Sequence, residues 1–173
     1  MKTIQHSKKP TLVHLRSTRN DHSEKTRRKV IGLLNTPLRA GIELQAQTKQ
    51  SLVSVYGPCF ITAQRLFDEI NEEVRHNVRG MADRAEQLGW TVEGTTAAEA
   101  AKSSAPEGRP PLTSCRDQIV ALAESLARFG KNVRQAIRQS HELGDVDTAT
   151  TLTRVSRGID KWLWMVQAHL QEG

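Results

Sequence analysis

Two cysteines in 173 residues, Cys59 and Cys115, are too few for the disulfide scaffold that staples small secreted domains. Neither has a His or Cys at motif spacing, so both read as ordinary thiols, buried or at the surface. No apolar run approaches the ~18 residues that span a bilayer. The first 21 residues carry basic side chains but no continuous apolar stretch, so no secretory signal is expected. Alternating strand patterns are missing, and so are a serine nucleophile elbow and a phosphate-cradling glycine loop. These absences exclude secreted miniproteins, membrane spans and collagen-like chains. A reducing cytoplasm is the expected compartment.

What is present in excess is positive charge, and it sits at one end. Residues 1–30 hold nine basic side chains (Lys2, Lys8, Lys9, Arg16, Arg19, Lys25, Arg27, Arg28 and Lys29) against two acids, a net of +7. The remaining 143 residues hold 16 basic and 17 acidic groups, a net of −1. Such an arm reads as a tether for an anionic polymer, nucleic acid first and an anionic membrane surface second, or as a solvated tail without a partner. No aromatic residue occurs before Tyr56. Any nucleic-acid contact by the arm would therefore be phosphate-directed and indifferent to sequence, with no base stacking. His6, His14 and His22 recur every eight residues and can bind stray metal, raise the arm's charge at low pH, or be accidental.

Residues 1–22 lack periodicity and read as a flexible basic arm; residues 23–173 read as one helical domain. Ser23-Glu24 starts a helix carrying Val30, Ile31, Leu34, Leu38 and Ile42. Pro37 should kink it, or split it with Thr36 as a second cap. Tyr56-Gly57-Pro58 breaks the chain. The second helix has the clearest stripe: Phe60, Ala63, Phe67, Ile70, Val74, Val78, Met81, Ala85 and Leu88, closed by Gly89. Residues 90–112 form a long connection in which TTAAEAAKSS, from Thr95, can make a short helix. Ile119 to Ile137 mark a third helix ended by Gly144. Asp145 or Asp147 caps a fourth, carrying Leu152 to Leu170. The fold class is all-α. Four long helices with one long connection between the second and third predict a ferritin-like bundle in which those two helices run parallel.

Ordered blocks then carry a family resemblance. They begin with Thr18-Arg19-Asn20-Asp21, Leu33-Leu34-Asn35 and Thr48-Lys49-Gln50. Met81-Ala82-Asp83-Arg84-Ala85, Gln87-Leu88-Gly89 and Gly94-Thr95-Thr96 follow. Asp147-Thr148-Ala149, Ser156-Arg157, Asp160-Lys161 and Leu163-Trp164 complete the set. From about residue 18 to 166 the chain resembles the Dps family, the DNA-binding ferritin-like proteins of starved bacteria. The resemblance implies a hollow shell of twelve subunits in the cytoplasm, bound to the nucleoid, often through a lysine-rich N-terminal arm. It implies inter-subunit roles for Arg84 and Asp160. Trp162 and Trp164 read either as anchors between subunits or as ordinary packing within one.

The family's iron chemistry does not carry over with it. Members oxidise Fe(II) across a dimer interface, two His and an Asp from one subunit meeting an Asp and a Glu from the other. In this chain those positions fall on Leu52, Gln64, Asp68, Arg79 and Asp83. Leu52 cannot ligate, and Arg79 brings positive charge where a cation would sit. Arg79 is expected to pair with Asp83 at i,i+4, and with the Asp68 of a second subunit. The reading is thus a shell that binds DNA non-specifically, with no cofactor and no iron oxidation. One alternative is an iron-oxidising mini-ferritin with a displaced site at Asp68, Glu72, His76 and Asp83. Another is a subunit that co-assembles with an active Dps. Glu73-Val74-Arg75-His76 matches a di-iron Glu-x-x-His motif, but only once; His76 reads as a surface residue paired with Glu72 or Glu73.

Overall fold

The computed structural model describes residues 15–90 and 114–171, which form four helices: α1 Glu24–Ser54, α2 Phe60–Gln87, α3 Cys115–Glu142 and α4 Val146–Ala168. Three start on side-chain caps. Ser23 accepts the Thr26 N–H, Ser114 that of Asp117, and Asp145 that of Thr148, each worth ~1 kcal/mol. Helices α2 and α3 stop ahead of Gly89 (φ +95°) and Gly144 (φ +73°), the left-handed positions where glycine carries no steric cost.

Pro37 does not split α1, and Thr36 caps nothing; the helix runs unbroken through both. An internal proline costs about 3 kcal/mol. Pro37 is itself buried, and Leu34, Leu38 and Leu44 beside it are almost wholly enclosed. Each such leucine contributes about 1.5–3 kcal/mol on burial, so packing outweighs the lost hydrogen bond. Gly41 shows how closely α1 is packed: a Cβ there would lie 2.7 Å from Val78 Cγ2 and 3.3 Å from Phe129 Cζ. Most of the predicted stripes form the core, with Phe67, Met81, Leu126, Phe129, Leu152 and Ile159 fully enclosed, but on α1 Ile42 is only half-buried and Leu44 is in the core. Phe60 departs from its stripe and is 38% exposed at the start of α2.

Helices α1 and α2 make one hairpin and α3 and α4 another. The two cysteines correct the thiol expectation: Cys59 and Cys115 form a disulfide, their Cα atoms 6.6 Å apart. The bond ties the α1–α2 corner to the start of α3. Helices α2 and α3 therefore begin at the same end and run parallel, and the chain between Trp90 and Ser114 joins opposite ends of the bundle. The short helix anticipated from Thr95 lies outside the described residues.

The described chain begins at Leu15, and it is already held against the bundle ahead of Ser23. Leu15 and Trp90 form an isolated antiparallel bridge, and the Arg16 N–H donates to Gly89 O at 2.8 Å. From α1, Arg27 Nη1 donates to Leu88 O at 2.9 Å and to Arg16 O at 3.4 Å. These main-chain acceptors hold residues 15–22, part of the stretch expected as an arm, against the bundle; residues 1–14 lie outside the described residues. Lys2, Lys8, Lys9, His6 and His14 lie outside the described residues. No helix among the described residues is long and apolar enough to cross a membrane.

Candidate functional site

The five positions that correspond to iron ligands in the resemblance are spread along α1 and α2. Leu52 packs partly against the core at the end of α1. Gln64 and Asp68 are exposed one turn apart on α2. Arg79 Nε donates to Asp83 Oδ1 at 2.7 Å, the i,i+4 pair that the spacing predicts. Asp68 and Arg79 are eleven residues apart on one helix, a rise of ~16 Å, so they cannot meet within a chain. Among the described residues no three His, Cys, Asp or Glu side chains come together to hold a metal ion.

The displaced set is brought together only in part. Asp68, Glu72 and His76 line a cavity of about 640 Å³ between α2 and α4, while Asp83 lies outside it. His76 makes no ion-pair contact with either neighbouring glutamate, although its charge helps to hold the Glu72 carboxyl down. Glu72 bonds Arg75, and that hydrogen bond holds its carboxyl below the usual range. Glu73 Oε2 accepts Trp162 Nε1–H at 2.9 Å. Its other oxygen lies against the α4 backbone at Gly158, where a Cβ would collide with it. Trp162 is thus buried between α2 and α4, whereas Trp164 is 69% exposed.

At the other end of α2, the basic side chains divide. Arg16, Arg19, Lys25, Arg28 and Lys29 are exposed where the strap meets α1. Arg28 bonds Glu24 at 2.6 Å. Arg27 is buried, its guanidinium spent on main-chain carbonyls, so it cannot reach a polymer.

Arg84 is likewise engaged inside the subunit. Its Nη2 donates to Asp145 Oδ1 at 2.8 Å and its Nε to Thr148 Oγ1 at 2.9 Å. Burial alone would push the Asp145 carboxyl up. The Thr148 N–H and hydroxyl and the Arg84 guanidinium together outweigh it, and the group stays ionised below its ordinary value. His22 Nε2 of the strap stands 3.9 Å from the same oxygen. No spacing rule links Arg84 to a carboxylate 61 positions on, so the sequence offered only the cap role of Asp145. Asp160, by contrast, is exposed and bonds Arg134 at 2.8 Å. A second unforeseen feature is apolar: Val53, Tyr56, Phe60 and Ile61 are exposed around the disulfide corner.

The comparisons agree with this architecture. A ferritin-like domain model matches residues 31–173. A DNA protection during starvation protein from Agrobacterium fabrum is 34% identical over 155 residues, 90% of this chain and 96% of its own. The chain belongs to the Dps family of ferritin-like proteins. A Dps relative of the same name from Brevibacillus brevis is 24% identical over 139 residues, covering 80% of this chain and 93% of its own. Two solved Dps structures share the bundle. DpsC from Streptomyces coelicolor has a TM-score of 0.82 at 21% identity, over 95% of this chain and 98% of its own. A Mycobacterium smegmatis Dps has 0.80 at 23% identity, over 92% and 96%. At those identities they establish the fold alone, a four-helix bundle, with no strand among the described residues.

Proposed function

We propose that this chain is the subunit of a Dps shell that protects DNA by binding it non-specifically through its basic N-terminal arm, without oxidising iron. The observation that carries the reading is the net +7 over residues 1–30 on a body of net −1. Exposed Arg16, Arg19, Lys25 and Lys29 extend that charge onto the bundle where the strap enters. Many arms on one shell give avidity, so weak phosphate contacts add. The name of the Agrobacterium relative speaks for the same protective role. A homo-oligomer of twelve subunits in the cytoplasm, associated with the nucleoid, fits it. The exposed apolar corner at Val53, Tyr56, Phe60 and Ile61 is the kind of face that a second subunit covers.

The iron half of the reading rests on Leu52, Gln64 and Arg79. A guanidinium already bonded to Asp83 supplies, as a fixed group, the charge that a bound cation would bring. The test is DNA binding across a salt series by the full chain and by a chain lacking residues 1–14, which leaves the strap intact. Loss of at least tenfold in affinity and a shallower salt dependence are expected; unchanged binding overturns the arm's role. On the same assembly, anaerobic Fe(II) followed by air or peroxide should show no saturable uptake and no oxidation above the buffer rate. Fast, saturable oxidation overturns the silent site.

A further inference from the structure

The cavity between α2 and α4 has a chemistry that the reading above does not use. Asp68 and Glu69 form one acidic level on α2. Glu72 and Glu73 form a second, one helical turn (~5.4 Å) further along. A third turn brings Asn77, which is only 7% exposed, lines the same cavity and makes no hydrogen bond through its amide among the described residues. Its amide opens onto the groove, which is where a partner for it can enter. Beyond it, Arg154 of α4 closes the row: its Nη2 lies 3.8 Å from where a Cβ on Gly80 would stand, and it has no ion-pair partner among the described residues. Four carboxylates face the Arg154 guanidinium and the Arg75 that bonds Glu72, so the lining stays net negative on a chain whose total is +6.

We propose that this groove binds a linear aliphatic polyamine, with ammonium groups at the two acidic levels and an N–H donated to the Asn77 amide oxygen. The layout selects the class. No three metal-ligating side chains converge here, so a compact ion finds no cage. Ammonium groups separated by three or four methylenes stand about one helical turn (~5.4 Å) apart, matching the step between the levels. The methylenes between them lie along the groove wall that includes Trp162. Arg154 sets the length, because an ammonium reaching past Asn77 would meet its charge. A cationic protein repels a free polycation overall, so saturable binding at low ligand concentration requires a local acidic site of this kind.

The experiment is calorimetric titration of the full-length assembly with spermidine, with Mg²⁺ as the competitor. Saturable binding is expected, little affected by Mg²⁺ at matched ionic strength. The double variant D68N/E69Q alters two exposed side chains and should weaken binding at least tenfold. Arg154→Ala should tighten it several-fold, a gain that misfolding cannot produce. The proposal is overturned by absence of saturable heat, by unchanged affinity in D68N/E69Q, by weaker binding in Arg154→Ala, or by displacement of spermidine by Mg²⁺. Loss of residues 1–14 should leave spermidine binding unchanged, which separates this site from the DNA reading.

Discussion

The two ends of the bundle are held by opposite means. Where α2 finishes and α4 begins, buried charge does the work: Arg84, Asp145 and Thr148 bond one another, and Arg27 ties the strap to the end of α2. Where α1 turns into α2, a disulfide holds the start of α3, and apolar side chains face outward around it. The polar end is complete within one chain. The apolar end looks unfinished until something covers Val53, Tyr56, Phe60 and Ile61. The contrast teaches that one bundle can be closed by a buried ion pair at one end and by a covalent bond, with apolar side chains left outward, at the other.

The largest effect should come from the polar end. Asp145→Ala strands the buried Arg84 guanidinium and should cost about 3–5 kcal/mol in denaturant unfolding. The pH dependence has a definite sign. Because the folded carboxyl titrates below its unfolded value of about 3.9, its contribution is complete above that value. It is lost as pH falls through the folded value, so the wild-type chain should lose stability below about pH 4, more steeply than the variant. A variant of wild-type stability would mean that this end is held by packing alone.

Next is the covalent end. Cys59→Ser, or reduction of the bond, frees a loop closed over 56 positions and should cost about 2–4 kcal/mol. The two ends lie a helix length of ~40 Å apart, so this loss should add to that of Asp145→Ala in the double variant. Strong non-additivity would show that the ends communicate.

Smaller in stability, but not in assembly, is Ile61→Lys. Ile61 is 64% exposed, so subunit stability should shift by no more than about 0.5 kcal/mol. Sizing by light scattering should nevertheless show smaller assemblies. An unchanged assembly would free the apolar corner from any association role. The smallest change belongs to Arg28→Ala at the exposed pair with Glu24, expected within ~0.5 kcal/mol by thermal melting.

Most of the bundle was legible because periodicity and caps are local signals. The stripe from Ala63 to Leu88, the Ser23 start and the Gly89 and Gly144 stops need only neighbours along the chain. The Arg79–Asp83 pair was legible for the same reason, being one turn of one helix. What escaped was tertiary. Cys59 meets Cys115, and Arg84 meets Asp145, only after the connection has carried the chain from one end of the bundle to the other. The strap at residues 15–22 escaped as well. It is held through main-chain carbonyls, which every residue possesses and no composition betrays. At the acidic groove, the sequence displayed Asp68, Glu72 and His76, but not that Arg154 and Trp162 of α4 form its other wall.

The disulfide also changes what a cut would do. The two hairpins are joined once by the chain through residues 91–113 and a second time by the bond between Cys59 and Cys115. A protease acting anywhere in that connection would open a ring and not sever a chain. Both halves would migrate together under denaturing conditions, separating only once a reductant is added.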